Sequence, residues 1–142
     1  MIELIRQLVQ LLSRDISVPD VINEVGSVWN DPGGLLPIEL EPTVPGVRSV
    51  SLSRDIDSGM PYVLTIEPTS ETSLTPNELE QVFGSFKRLR TDRGQPPEII
   101  FYPPKTESPW HVVIVATLES VVEPLNEQQV TSVSLRRDLT EP

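Results

Sequence analysis

An α+β fold is what this sequence predicts: two N-terminal helices, a mainly antiparallel sheet of about six strands, and one amphipathic helix at about 75–91 packed on that sheet. Three observations carry the expectation. Apolar residues recur at helical spacing up to Trp29. From Leu35 onward short β-rich runs alternate with proline and glycine. Among those runs one segment carries every local mark of a helix.

Residues 2–13 place Ile5, Leu8, Val9 and Leu12 on one face, with Ile2, Leu4 and Leu11 broadening it, so the first helix is well covered. A second helix starts at "SVPD". Ser17 is a suitable N-cap, Pro19 sits in the first turn where its missing N–H costs nothing, and Asp20 meets the positive end of the helix dipole. Val21, Ile22, Val25, Val28 and Trp29 then share a side, and "NDPGG" at 30–34 ends the helix. The division expected is a helical part at 1–29 and a sheet with one inserted helix at 35–139, within a single domain of 142 residues.

"LLPIEL", "VRSVSLSRDI" and "YVLTIE" read as a three-stranded meander, with "DIDSGMP" as a hairpin connection by its Asp, Ser and Gly content. "LTPNELEQVFGSFKRLR" follows. Thr75 caps, Pro76 opens the helix, Glu78 completes a capping box, and Leu79, Val82, Phe83, Phe86 and Leu89 mark a stripe that Gly94 terminates. "PPEIIFYPP" and "WHVVIVATLESVV" give two more strands, the second apolar enough in its middle for burial on both faces, and 129–137 the last.

The segment "VRSVSLSRDI" at 47–56 returns as "VTSVSLRRDL" at 130–139, with seven of ten positions identical. Each copy follows an apolar run ending in Glu-Pro, and each reads as the second strand of a hairpin. Val50 and Leu52 alternate with Ser49, Ser51 and Ser53; Val133 and Leu135 alternate with Ser132 and Ser134. Arg54 and Arg137 share parity with the apolar positions. Each must therefore lie beyond the buried part of its strand or carry its guanidinium to a buried acceptor. One reading makes Arg54-Asp55 and Arg137-Asp138 two copies of a site for an anion or peptide; the other makes them charged ends of two similar strands.

Acidic residues number 21 against 11 basic, a net charge of −10 that repels a nucleic-acid backbone. No Lys or Arg lies between Arg14 and Arg48 or between Arg54 and Lys87, while carboxylates accumulate in both stretches. The absence of cysteine removes disulfides, thiolate metal sites and a cysteine nucleophile, and fits a cytoplasmic setting. Glu3 and Arg6 interrupt the apolar N-terminus, which is therefore not expected to be an export signal. "VVIVA" at 112–116 is the longest apolar run, far short of a membrane span.

Signals of chemistry are sparse. His111 is the single histidine, at the start of a strand with no nucleophile assigned to it. Glu39 and Glu41 share a strand face, and "DIDSG" at 55–59 has two of the ligands of a calcium loop with its glycine one place early; both read more simply as an exposed strand and a turn. Lys87, Arg88, Arg90 and Arg93 form a basic cluster that complements a helix C-terminus. No catalytic residue, cofactor or metal site is expected.

The function expected is an acidic protein-binding module that neutralises or escorts a basic partner. In size and charge the chain is similar to bacterial immunity proteins and to inhibitors that occlude a basic domain. The carboxylates expected to meet the partner are Asp55, Asp57, Glu67 and Glu71, on a hairpin free of Lys and Arg that reads as an acidic edge. An apolar interface around Trp29 or Trp110 is the alternative. A secretion-type chaperone or adaptor resembles the chain in its early element order, although this chain ends in a strand. A phage or injection-machine component and a small enzyme are the remaining alternatives.

Overall fold

The apolar stripe at the N-terminus folds as expected into helix α1, Ile2–Leu12, which buries Ile5, Leu8 and Leu12. The computed structural model describes residues 1–89, 91–92, 94–104 and 106–139, with Leu139 by its backbone alone. Helix α2, Val18–Val25, opens on a reciprocal capping box: the Ser17 hydroxyl accepts the Asp20 N–H, and the Asp20 carboxylate accepts the Ser17 N–H. Eight strands follow among the described residues: β1 Gly26–Asn30, β2 Ile38–Pro42, β3 Val47–Arg54, β4 Pro61–Pro68, β5 Phe86–Arg88, β6 Glu98–Phe101, β7 Trp110–Leu118 and β8 Val130–Leu139. Helix α3, Pro76–Phe83, lies between β4 and β5, and a short 3-10 turn at Leu125–Glu127 precedes β8.

All eight strands form one antiparallel sheet in the order β1-β2-β3-β4-β8-β7-β6-β5. The α+β expectation holds, but the sheet has eight strands where about six were expected. Both strands that the pattern hid are the sheet's edges, β1 and β5. The expected second helix, running to Trp29, ends instead at Val25, so the helical part stops before residue 26. Gly26 is the cause. Its backbone lies so close to β2 that a Cβ there would sit 2.2 Å from the Glu41 carbonyl oxygen, which makes it a strand contact that only glycine allows.

The helix expected at 75–91 is likewise cut short. Thr75 caps α3 by accepting the Glu78 N–H, but its hydroxyl is turned to the Glu78 carboxylate, so the reciprocal half of the expected box is replaced. Gly84, at φ 88° and ψ −172°, then terminates the helix ten residues before the Gly94 stop that the pattern suggested. That conformation is open essentially to glycine alone. Beyond it Phe86 pairs with Phe101 across the sheet, ring centroids 5.6 Å apart, and Leu89 donates its N–H to the Glu98 carbonyl. Of the expected stripe, Leu79 and Phe83 are buried, Val82 is exposed, and Phe86 and Leu89 lie outside the helix.

A single apolar cluster joins Ile5, Leu8 and Leu12 of α1, Val21 and Val25 of α2 and Leu79 and Phe83 of α3 to one face of the sheet. That face is built from alternate residues, among them Leu40, Leu52, Leu64, Ile114 and Leu135. The opposite face carries Ser51, Thr65 and Ser134, half-buried, with Ile100 and Val113 fully buried among their neighbours. β7 therefore does bury residues on both faces, Val112 and Ile114 toward the helices and Val113 away from them. No helix among the described residues is long and apolar enough to cross a membrane.

Candidate functional site at one end of the sheet

The repeated decapeptides flank a common strand. Ile66 of β4 is opposite Val50 on one side and Val133 on the other, Thr65 opposite Ser51 and Ser134, and Leu64 opposite Leu52 and Leu135. Each pair is a matched pair of repeat positions, so β3 and β8 meet β4 in the same register from its two sides. Both are also second strands of hairpins, β2–β3 and β7–β8. The resemblance stops at the preceding Glu-Pro: Glu41 and Pro42 belong to β2, whereas Glu123 and Pro124 lie in the loop before the 3-10 turn, with a cis peptide between them.

Because the copies run in the same direction, they deliver their Arg-Asp ends to the same end of the sheet, on either side of Pro61 and Tyr62. There they diverge. Arg54 reaches across to the β1–β2 loop and pairs with Asp31, Nη2 to Oδ1 at 2.8 Å. Arg137 is 2% exposed. It donates Nε–H to the Leu12 carbonyl at 2.7 Å, Nη1–H to Pro61 at 2.9 Å and Nη2–H to Arg14 at 2.7 Å, and its guanidinium lies 4.0 Å from the centre of the Trp110 ring. These acceptors include the C-terminal carbonyl of α1, where a cation is favoured by the dipole. Burial pulls the Arg137 pKa below the ordinary guanidinium value, and the negative charge of Asp15 opposes that shift.

Between the two copies lies a cavity of about 410 Å³, walled by Met60, Tyr62, Trp110 and Arg137, with Asp55 on one flank and Asp138 on the other. Asp55 Oδ2 accepts both the backbone N–H and the hydroxyl of Ser58, at 3.0 and 2.8 Å, which folds the β3–β4 turn. Those bonds hold its carboxyl below the usual 3.8. Asp138 is gripped by Arg136 through Nε and Nη2. Beyond the cavity the same end of the sheet exposes Leu35 and Leu36 in the β1–β2 loop and Ile56 in the β3–β4 turn. Leu35 and Ile56 line a shared depression with Asp55.

The residues expected at a partner site are thus divided. Asp55 and Asp57 stand in the β3–β4 turn at this end, whereas Glu67 is at the far end of β4 and Glu71 follows it. Six residues of strand, 61–66, separate the two pairs, roughly 20 Å. Nor is the hairpin an edge: β3 and β4 are interior strands. Glu67 is also paired with Arg48. Trp29 is the extra residue of a bulge in β1, between the Val28 and Asn30 pairings, and is 69% exposed; bulges at sheet edges re-aim side chains in this way. Trp110 packs on Arg137 inside the cavity wall.

Other candidates resolve into structure. His111 Nε2 lies 2.8 Å from the Pro103 carbonyl and ties the β6–β7 loop to β7. Glu39 and Glu41 are exposed on β2, Glu39 within 3.4 Å of the Asn30 amide. Lys87 and Arg88 are exposed on β5 instead of at a helix terminus, and Arg90 and Arg93 of the same cluster lie outside the described residues. Among the described residues no three His, Asp or Glu side chains are grouped to hold a metal ion. Sequence reasoning passed over Met60 and Tyr62 as cavity residues, and nothing local marked Tyr62; Asp138 had entered it only through the repeat, as the counterpart of Asp55 in the paired Arg-Asp reading. Comparison of the chain with protein-family models, curated proteins and solved structures finds no match.

Proposed function

We propose that this chain is a protein-binding module whose exposed sheet end engages a basic partner and occludes it, as an immunity protein or inhibitor does. One observation supports this reading best: at that end Asp55 and Asp57 stand beside exposed Ile56, with Leu35 across a shared depression. Carboxylates accelerate the approach of a cationic partner, and apolar anchors that become buried supply the affinity that retains it. The net charge of −10 adds a long-range field of the same sign. Glu67 and Glu71, at the other end, contribute to that field without touching the partner.

An affinity pull-down from the native host supplies the partner, and stopped-flow association then tests the mode of binding. Replacing Asp55 and Asp57 by Asn slows association and flattens its dependence on salt, whereas replacing Glu67 and Glu71 by Gln has a smaller effect. The salt dependence follows a Debye length falling from about 30 Å at 0.01 M to about 3 Å at 1 M. A rate indifferent to salt and to all four replacements overturns the electrostatic reading and leaves the apolar surface around Trp29 or Trp110. A partner captured as an unfolded segment instead of a folded domain favours a chaperone or adaptor.

A further inference from the structure

We propose that copies of this chain associate head to tail, with β5 of one against β1 of the next, so that the sheet continues from molecule to molecule. This contact uses the two sides of the sheet and is independent of the partner surface at its end. An open sheet leaves backbone donors and acceptors along both edge strands. The Thr43 N–H donates to the Val25 carbonyl, and by the antiparallel alternation Ser27 then bonds inward to Glu41, while the backbone groups of Val28 and the Gly26 carbonyl point outward. On β5 the Leu89 N–H donates to Glu98, so Lys87 bonds inward to Ile100 and the backbone groups of Phe86 and Arg88 point outward. The sheet has an even number of strands and every neighbouring pair is antiparallel, so β1 and β5 run in opposite directions. A second copy in the same orientation therefore meets β5 antiparallel, with its helices on the same face.

One register aligns these groups. With Phe86 opposite Val28, Lys87 opposite Ser27 and Arg88 opposite Gly26, Phe86 and Val28 exchange both backbone bonds and the Arg88 N–H reaches the Gly26 carbonyl. Phe86 and Val28 share the helix side of the sheet, since they pair with Phe101 and Leu40 of the core, and Lys87 and Ser27 share the other side. Glu41, opposite Ser27, stands on that side too, so Lys87 reaches it over the short serine side chain, across two strand spacings of roughly 10 Å in all. Lys87, Arg88 and Glu41 are exposed, and none is in an ion pair among the described residues. Two β5 edges would set Lys87 and Arg88 against themselves, and two β1 edges would bring Glu39 and Glu41 together, so the unlike edges are the complementary pair. The bulge at Trp29 falls outside the three paired positions. Because the contact is heterologous, its repetition adds molecules one after another instead of closing a two-fold dimer.

Three paired residues bury little surface, so the association is weak and reversible and is measured by analytical ultracentrifugation from about 1 μM to about 1 mM protein. The weight-average mass of the unaltered protein is expected to rise with concentration beyond that of a dimer; a mass that stays at the monomer or stops at the dimer overturns the proposal. Val28→Pro removes an outward N–H and is expected to weaken association about tenfold or more, with circular dichroism establishing that the fold is kept. An association unmoved by that change overturns the proposal. Lys87→Glu and Glu41→Lys are each expected to weaken association about threefold or more, and an equimolar mixture of the two variants to restore it, because every junction of an alternating chain then pairs unlike charges. Glu41→Lys also brings the net charge nearer zero, so stronger association of that variant alone would trace self-association to net charge and overturn the edge contact, as would a mixture no more associated than its components. Should Val28→Pro loosen the fold, the charge exchange decides alone.

Discussion

Arg54 and Arg137 occupy the same position in two near-identical decapeptides, flank the same strand, and differ in almost every physical respect. Arg54 is a partly exposed cation paired with a partly exposed carboxylate, Asp31. Arg137 is buried, has no carboxylate within ion-pair distance among the described residues, and is held by three carbonyls and an indole ring. The difference comes from what lies over each strand end. The C-terminus of α1 covers β8, offering unsatisfied carbonyls that need donors. Beside β3 lies only the β1–β2 loop, with Asp31. Near-identical local sequence thus yields a surface ion pair on one side and a buried polar anchor on the other.

The largest test of that contrast is truncation of each arginine. Arg137→Ala strands the carbonyls of Leu12, Arg14 and Pro61 without their donor, and a cost on the order of 3–5 kcal/mol is expected. Arg54→Ala loses a surface pair and is expected to cost less than about 1 kcal/mol. Urea denaturation midpoints measure both. Equal costs would mean that the burial of Arg137 carries no energetic weight.

Trp110→Ala separates the indole from the carbonyl acceptors. Losing the ring that lies over a desolvated guanidinium is expected to remove about 2 kcal/mol, less than removal of Arg137 itself. The same substitution at Trp29, exposed on the edge strand, is expected to leave the midpoint within about 0.5 kcal/mol.

Further along the copies, Ser51 and Ser134 both face Thr65, but only Ser134 lies within hydrogen-bond distance of it, 3.0 Å between the hydroxyl oxygens. Ser134 also has β7 beyond it, at Val115, whereas Ser51 faces Glu39 of β2. Lysine at Ser51 gains a cross-strand carboxylate and is expected to change stability by no more than about 0.5 kcal/mol. Lysine at Ser134 breaks the Thr65 contact in the middle of the sheet and is expected to cost about 1 kcal/mol or more. If both unfold the protein, a further layer covers this face.

Acid gives the finest distinction. The Arg54 bonds, followed by that of the Gly33 N–H, lower the Asp31 pKa from 3.8. A depressed folded-state pKa means that the pair contributes fully above 3.8 and that this contribution disappears as the pH falls through the lower folded value. The hydrogen bonds that hold Arg137 do not titrate, because their acceptors are backbone carbonyls. In a titration from neutral pH to below 3.8, the side-chain NMR signal of Arg54 is expected to move while that of Arg137 holds until global unfolding. Simultaneous movement of both would contradict independent anchoring.

The sequence by itself determined the α+β class, the six inner strands, the start of every helix and the shared alternation of the two copies. It did so because caps, turn residues and apolar periodicity act over a few neighbouring residues. It also required each repeat arginine to find either an exit from the core or a buried acceptor, and one copy took each course. Only the tertiary structure decided which. It likewise decided that 26–30 and 86–88 become edge strands: Val28, Trp29 and Phe86 fit a helical stripe equally well, and the choice fell to close approach at Gly26, the backbone turn at Gly84 and a partner strand distant in sequence. The cavity was beyond local pattern for the same reason. Tyr62 and Trp110 are neighbours only because β4, β8 and β7 lie side by side, and Asp55 and Asp138 share its walls only because two strands 83 positions apart dock on β4 in one register.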